Sequence, residues 1–199
     1  IARDVRLAFM TITSMILICA QLAVMAFLCL TLTHEANYGL ALAIVMFTVS
    51  QLGAIAGRIF WGWASDKIFR GSRPMTLVAV CVITAGATLA VSLVTPGLDV
   101  WIVGCICIAV GFMAEGWFGV AVLGFAEIGG EEHSGSALGV ALTWAFLAAF
   151  IAPTLFGAVA QIYGFSLAWR ALAFLTLAGI PPALLASAYM QKLAATAKA

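Results

Sequence analysis

Long apolar runs, each separated from the next by a few polar residues, set the pattern of this chain. Six of them reach the roughly 20 residues that a helix needs to cross bilayer hydrocarbon. They extend over about Leu7–Leu32, Tyr38–Trp61, Met75–Val94, Val100–Phe125, Ala137–Ile162 and Leu167–Met190. Period-two alternation is absent and the runs are too long for barrel strands, so helices are predicted. The intervening segments are short: Thr33–Asn37, Asp66–Pro74, Thr95–Asp99, Ile128–Ser136 and Tyr163–Ser166. The pattern predicts an all-α membrane protein, one six-helix transmembrane domain over residues 1–199.

Composition strengthens this picture. The chain is 65% hydrophobic and 9% charged, against about 45–50% and about 25% in soluble domains. No soluble fold of this length hides so much apolar surface, so the lipid bilayer is the expected solvent. A net charge of +1 gives no electrostatic case for a nucleic-acid partner. Cys19, Cys29, Cys81, Cys105 and Cys107 all fall within apolar runs, where free cysteine behaves as a small buried hydrophobe. Cys105-x-Cys107 lacks the further ligands of a closed zinc site, and no metal or cofactor is expected.

Positive charge orients the spans. Six spans place both termini on one side, with Arg3, Arg6, Arg58, Lys67, Arg70, Arg73, Lys192 and Lys198. Only Arg170 falls opposite, so both termini are expected in the cytoplasm. Trp61, Trp63, Trp101 and Trp169 fall near span ends, as interfacial belts require. Trp117 and Trp144 fall mid-span, where burial in the bundle is the plainer explanation. Gly53-x-x-x-Gly57 and Gly135-x-x-x-Gly139 have the spacing that brings helix backbones together. Pro153 and Pro181-Pro182 predict bends.

The segment after the second run, Gly62-Trp63-Ala64-Ser65-Asp66-Lys67-Ile68-Phe69-Arg70-Gly71-Ser72-Arg73, resembles the cytoplasmic signature loop of the major facilitator superfamily. Gly62, Asp66, Lys67, Gly71 and Arg73 fit its pattern, although the spacing after Lys67 is longer than the commonest version. Longer loops of this kind also occur in members that carry organic anions and phosphate esters. Pro153-x-x-x-Gly157 resembles a fifth-helix signature of the family, and Tyr163-Gly164-Phe165 leading to Trp169-Arg170 resembles the entry to a last helix. On physical grounds, Gly62 is expected to allow close helix packing and Asp66 to accept from amides at a helix N-terminus. Lys67, Arg70 and Arg73 suit an anionic leaflet and can reach an acid, for which Glu127 is the candidate. In the family such contacts latch a cytoplasmic gate. The plain alternative is a positive-inside loop with no further role.

An acid within lipid is costly and usually functional. Glu115 is such a residue, roughly 6 Å to the cytoplasmic side of the midplane at about 1.5 Å per residue. Helical spacing puts Gly111, Glu115, Phe118 and Val122 on one face. Glu115 can act as a protonation site or bind a cationic group; the plain alternative is an acid paired for structure. Gln21, Gln51, Trp117, Thr143 and Trp144 are the other candidates for a substrate or proton site. All lie on the first, second, fourth and fifth runs, the helices that line the cavity in the resembled family. Arg58 reads as a snorkelling or paired residue.

The resemblance implies the C-terminal six-helix half of an alternating-access carrier of a small solute, an organic anion being one class that fits. Ala114–Val120 resembles a glycine–tryptophan stretch of such carriers, but a midplane cation for an anion is missing from this reading. Proton coupling or exchange is expected to drive it, in a bacterial inner membrane. An N-terminal half of the same protein, or a second half-size subunit, is the expected partner. No Gly-Lys-Ser/Thr run is present, which disfavours ATP drive. No enzyme is expected, since His34 and His133 fall on opposite sides. The rival reading is a non-transporting sensor or assembly subunit.

Overall fold

A computed structural model describes residues 4–196 and is helical throughout apart from short turns. Its helices are α1 (Val5–Glu35), α2 (Leu40–Lys67), α3 (Arg73–Val91), α4 (Val100–Ala114), α5 (Phe118–Tyr163), α6 (Phe165–Leu177) and α7 (Ile180–Thr196). Local chemistry sets several of the ends. Asp4 accepts from the Arg6 N–H at 2.9 Å and opens α1. Asp99 does the same for Trp101 at 2.8 Å and opens α4. Each satisfies an amide that a helix start leaves unpaired. Gly164, at φ 87°, turns the chain from α5 into α6.

Among the described residues, five stretches are long and apolar enough to cross a membrane: Val5–Glu35, Leu40–Lys67, Arg73–Val91, Val100–Tyr163 and Phe165–Leu193. The fourth covers 64 residues, about 96 Å if straight, and the chain does not run straight. The nine-residue loop expected at Ile128–Ser136 is replaced by helix on both sides of Gly130, which alone leaves helical geometry at φ 64°, ψ −172°. A Cβ on Gly129 would lie 2.7 Å from the Ser134 Cα and 3.0 Å from the Ala137 Cβ. Residues that a straight helix keeps well apart therefore touch, and the chain folds back. Only glycine adopts this φ without strain, which is why a single residue suffices.

α1 is the central helix, packed against α5, α7, α2 and α6, while α2 pairs with α4 and α3 with α6. Its lower half, including Met10, Leu17 and Ile18, is buried with Trp61, Leu77, Trp117 and Phe125. Its upper half, including Val24, Leu28 and Leu32, is buried with Val91, Val103, Phe156 and Trp169. Trp61 and Trp169, expected at the interfaces, are core residues instead, 2% and 0% exposed. The Trp169 indole N–H donates to the Thr31 hydroxyl at 2.8 Å, and that bond permits its burial. Trp63 and Trp101 are exposed. Arg3 and Lys198 lie outside the described residues.

α2 and α4 approach each other backbone to backbone. A Cβ on Gly53 would overlap the Ile108 carbonyl, one on Gly57 the Phe112 carbonyl, and one on Gly111 the Ser50 carbonyl. One on Gly116 would lie 2.7 Å from the Gly57 backbone. Glycine is thus the only residue these four positions admit without moving a backbone. The second spacing motif behaves differently: Gly135 and Gly139 face open space. Pro153 sits inside the second limb of α5, beyond Gly130, and the helix continues through it, so the bend predicted there does not interrupt that limb. The break before Pro181 and Pro182 falls at Ala178–Gly179, where the Thr13 hydroxyl donates to the Gly179 carbonyl at 3.3 Å.

Gly57→Ala and Gly111→Ala should each lower stability by about 1–3 kcal/mol, the usual cost of overpacking. Gly139→Ala, in open space, should be neutral or slightly stabilising. Thermal unfolding in detergent checks this, and equal losses at all three positions would contradict the glycine seam.

Candidate functional site

The seam fixes what lies beside it. Gln51 sits within about 4 Å of the middle of α2, counted at 1.5 Å per residue. Its amide Nε2 donates to the Glu115 Oε1 at 3.0 Å. Glu115 is 0% exposed, and its Oε2 has no partner among the described residues. A buried carboxyl with one oxygen held and the other free is expensive unless it is neutral or meets a ligand or water.

Glu115 does not share one continuous helix face with Gly111, Phe118 and Val122, as the spacing suggests. α4 ends at Ala114 and α5 begins at Phe118, so Glu115, Gly116 and Trp117 form a break. Gly111 is pressed on Ser50 and opens on no cavity. Trp117 is 0% exposed, and its indole N–H donates to the Ala114 carbonyl at 3.0 Å. It therefore packs into the helix break and presents no face to a solute.

Beside this region lies a groove of ≈ 510 Å³ lined by Ile18, Gln21, Leu22, Arg58, Phe118, Gly119 and Phe146. Its walls come from α1, α2 and both limbs of α5. Gln21 lines this wall, and its buried Oε1 has no partner among the described residues. Arg58 lies about 7 Å from the middle of α2 toward Lys67. It forms no ion pair among the described residues and its charge bears on Glu115. From the sequence Arg58 is expected to snorkel or to pair, and no midplane cation is expected. The seven-residue step from Gln51 to Arg58, two turns on one helix side, is the signal that could have found it. Thr143 and Trp144 are not part of this groove. The Thr143 hydroxyl donates to the Gly139 carbonyl at 2.7 Å. Trp144 is 52% exposed and borders a separate crevice of ≈ 320 Å³ with Leu7, Thr11, Met15 and Val140.

At one end of the bundle a polar knot surrounds Arg73, the first residue of α3. The Arg73 Nε donates to Glu127 Oε1 and Oε2 at 3.1 and 3.2 Å, and Nη2 to Oε1 at 2.9 Å. Its Nη1 donates to the Ser65 hydroxyl at 2.8 Å and to Asp66 Oδ1 at 2.5 Å. Thr76 adds a hydroxyl bond to Ser65 at 3.1 Å. Arg73 thereby ties α2, α3 and the first limb of α5 together. Asp66 pairs with this guanidinium; the role of capping helix amides, expected from its position, is not the one it has. Lys67 and Arg70 are exposed and make no ion pair among the described residues. Gly62 meets nothing within 4 Å, so it does not serve a close helix contact. Arg70 and Gly71 take left-handed φ of 53° and 78°, and the Gly71 N–H bonds to the Ser65 carbonyl at 2.8 Å, which closes α2. Ser65 and Thr76 escape the sequence reading, because a hydroxyl beside a charged motif carries no signal of its own.

All described elements are helices, and the span-length ones are apolar; the chain is an all-α, multi-pass integral membrane protein. No protein-family model matches it. It is 30% identical over 172 residues to two Mycobacterium tuberculosis proteins, from strains CDC 1551 / Oshkosh and H37Rv. Each is named an uncharacterized MFS-type transporter. The match covers 84% of this chain and 37% of each relative, so the chain spans well under half the length of the relatives it matches.

Asp66 and Glu127 are 58% and 44% exposed, so water screens the knot. A double-mutant cycle of Arg73→Ala and Glu127→Ala should give a coupling of about 1 kcal/mol that shrinks in high salt. Additive effects of the two changes would contradict a direct tie.

Proposed function

We propose that this chain is the C-terminal six-helix half of a secondary carrier of the major facilitator superfamily, and that it moves a small organic anion by alternating access. The observation that carries this reading is the Glu115 carboxyl, wholly buried mid-bundle, with one oxygen on Gln51 and the other without a partner among the described residues. Such a group is a proton site in waiting, since a neutral carboxyl in a low-dielectric interior is cheap and a charged one is not. The groove beside it supplies an anion site: Arg58 offers a forked guanidinium, and Phe118 and Phe146 apolar walls. Arginine is the side chain best shaped for a carboxylate or phosphate.

The remaining parts of the reading follow from this. Division of the long fourth apolar stretch at Gly130 gives six spans, with both termini on the side of Lys67, Arg70 and Arg73, which is the cytoplasm by the charge bias. The Arg73–Glu127–Asp66 knot latches that side when the cavity opens outward. A further six helices complete the binding site across the groove, in keeping with relatives much longer than this chain. Two such bundles rocking about a central site give transport, in a bacterial inner membrane and with a proton or a counter-solute as driver.

Uptake of radiolabelled lactate, oxalate and glycerol 3-phosphate into liposomes holding the full-length protein tests this. Uptake of at least one should depend on external pH. Glu115→Gln should remove the pH dependence, and Arg58→Ala should cut uptake by about tenfold or more, the scale of one lost charge-assisted pair. Uptake indifferent to both substitutions would overturn the assignment and favour a non-transporting sensor or assembly subunit.

A further inference from the structure

The interruption between α4 and α5 frees carbonyls in the middle of the bundle, where no bulk water is at hand. A helix cut at Glu115–Trp117 takes away the backbone donors of the preceding turn. The backbone bonds near it run from the Glu115 N–H to Gly111 and from the Val120 and Ala121 N–H groups to Trp117. The Met113 carbonyl takes its donor from another helix, the Thr84 hydroxyl of α3 at 3.1 Å. The Ala114 carbonyl takes the Trp117 indole N–H at 3.0 Å. Thr84 and Trp117 are both 0% exposed. Two carbonyls immediately before Glu115 are thus satisfied by fully buried side chains.

The geometry points to Thr84 and Trp117 as positioning residues for the Glu115 carboxyl. Neither touches a solute: α3 contributes nothing to the groove, and Trp117 is sealed within the core. Their work is to hold the break open in one shape and keep water out of it. In that shape Gly116 lies against Gly57, and Glu115 faces Gln51. Loss of either donor leaves an orphan carbonyl, for which a water is the natural replacement. That water would sit one or two residues from Glu115 and hydrate it. The charged groups that bear on Glu115 are few. α2 supplies Arg58, and the ionisable side chains of α1 and α3 nearest mid-span are Cys19 and Cys81. The other charged or titratable groups of these helices, Arg6, His34 and Glu35 on α1, Asp66 and Lys67 on α2 and Arg73 on α3, lie at helix ends. α4 adds Cys105 and Cys107, and α5 Glu127, Glu131, Glu132 and His133 at the Gly130 fold-back.

This inference rests on the proton-site reading of Glu115, and the test separates the two. Infrared difference spectra of the full-length protein in liposomes follow the protonated-carboxyl stretch as pH is stepped. The band belonging to Glu115 is the one missing from Glu115→Gln. Thr84→Val and Trp117→Phe should each move its titration midpoint by about one pH unit or more, the scale of a local change of hydration. Thr84→Ser, which keeps the hydroxyl, should leave the midpoint in place. Trp169→Phe, which removes a buried indole bond at the far end of α1, should do so as well. A Glu115 band whose midpoint ignores both Thr84→Val and Trp117→Phe overturns the positioning role alone. Movement of the midpoint by Trp169→Phe as well assigns the shifts to general loosening and also overturns it. Absence of any band that depends on Glu115 overturns the proton-site reading, and the positioning role with it.

Discussion

The structure depends on how closely two backbones can approach. In lipid there is no hydrophobic drive to bring helices together, because the solvent is as apolar as the side chains. Close packing and hydrogen bonds must supply the attraction. α2 and α4 achieve this by leaving out side chains at Gly53, Gly57 and Gly111, with Gly116 in the break after α4, so that the backbone of one helix lies where side chains of the other would be. The Gln51–Glu115 bond is a consequence of that approach. A single methyl in the seam would part the helices by more than a 3.0 Å hydrogen bond can tolerate.

A second constraint comes from the backbone itself. Every N–H and C=O within the bilayer needs a partner inside the protein, yet this chain interrupts its helices at Glu115–Trp117 and at Ala178–Gly179. At the first a hydroxyl from another helix reaches a freed carbonyl, Thr84 to Met113; at the second the Ala178 and Gly179 amides bond back to Phe174, Leu175 and Thr176, and the Thr13 hydroxyl is a second donor to the Gly179 carbonyl, which also accepts from Ala183. The polar knot at Arg73 follows the same logic near the bundle end, with one guanidinium holding three acceptor groups on two other elements.

Much of the fold is legible in the sequence because hydropathy and helix length are bulk properties that neighbours do not alter. The all-α, apolar-helix character and the turn before α4 rest on such properties. What stays hidden depends on neighbours. Gly53-x-x-x-Gly57 and Gly135-x-x-x-Gly139 have the same spacing, yet only the first has a helix opposite it. Trp61 and Trp101 both fall near span ends, yet one is buried and the other 81% exposed. Glu115 can be singled out by its charge, but its partner Gln51 is 64 positions away and equivalent on paper to Gln21. A fold-back made by one glycine, Gly130, is likewise invisible where polar residues suggest a loop.

The central claim is the contact between Gln51 and Glu115 at the glycine seam. A Gln51→Cys, Glu115→Cys pair, in a protein whose five native cysteines are replaced by serine, tests it directly in membranes. A thiol cross-linker about as long as the two side chains removed should join them, as read by mass spectrometry of the digested protein. A pair of cysteines at Gln51 and Trp101 should stay unlinked. Failure of the first pair to link, in protein that still elutes as a single folded species, would contradict the account.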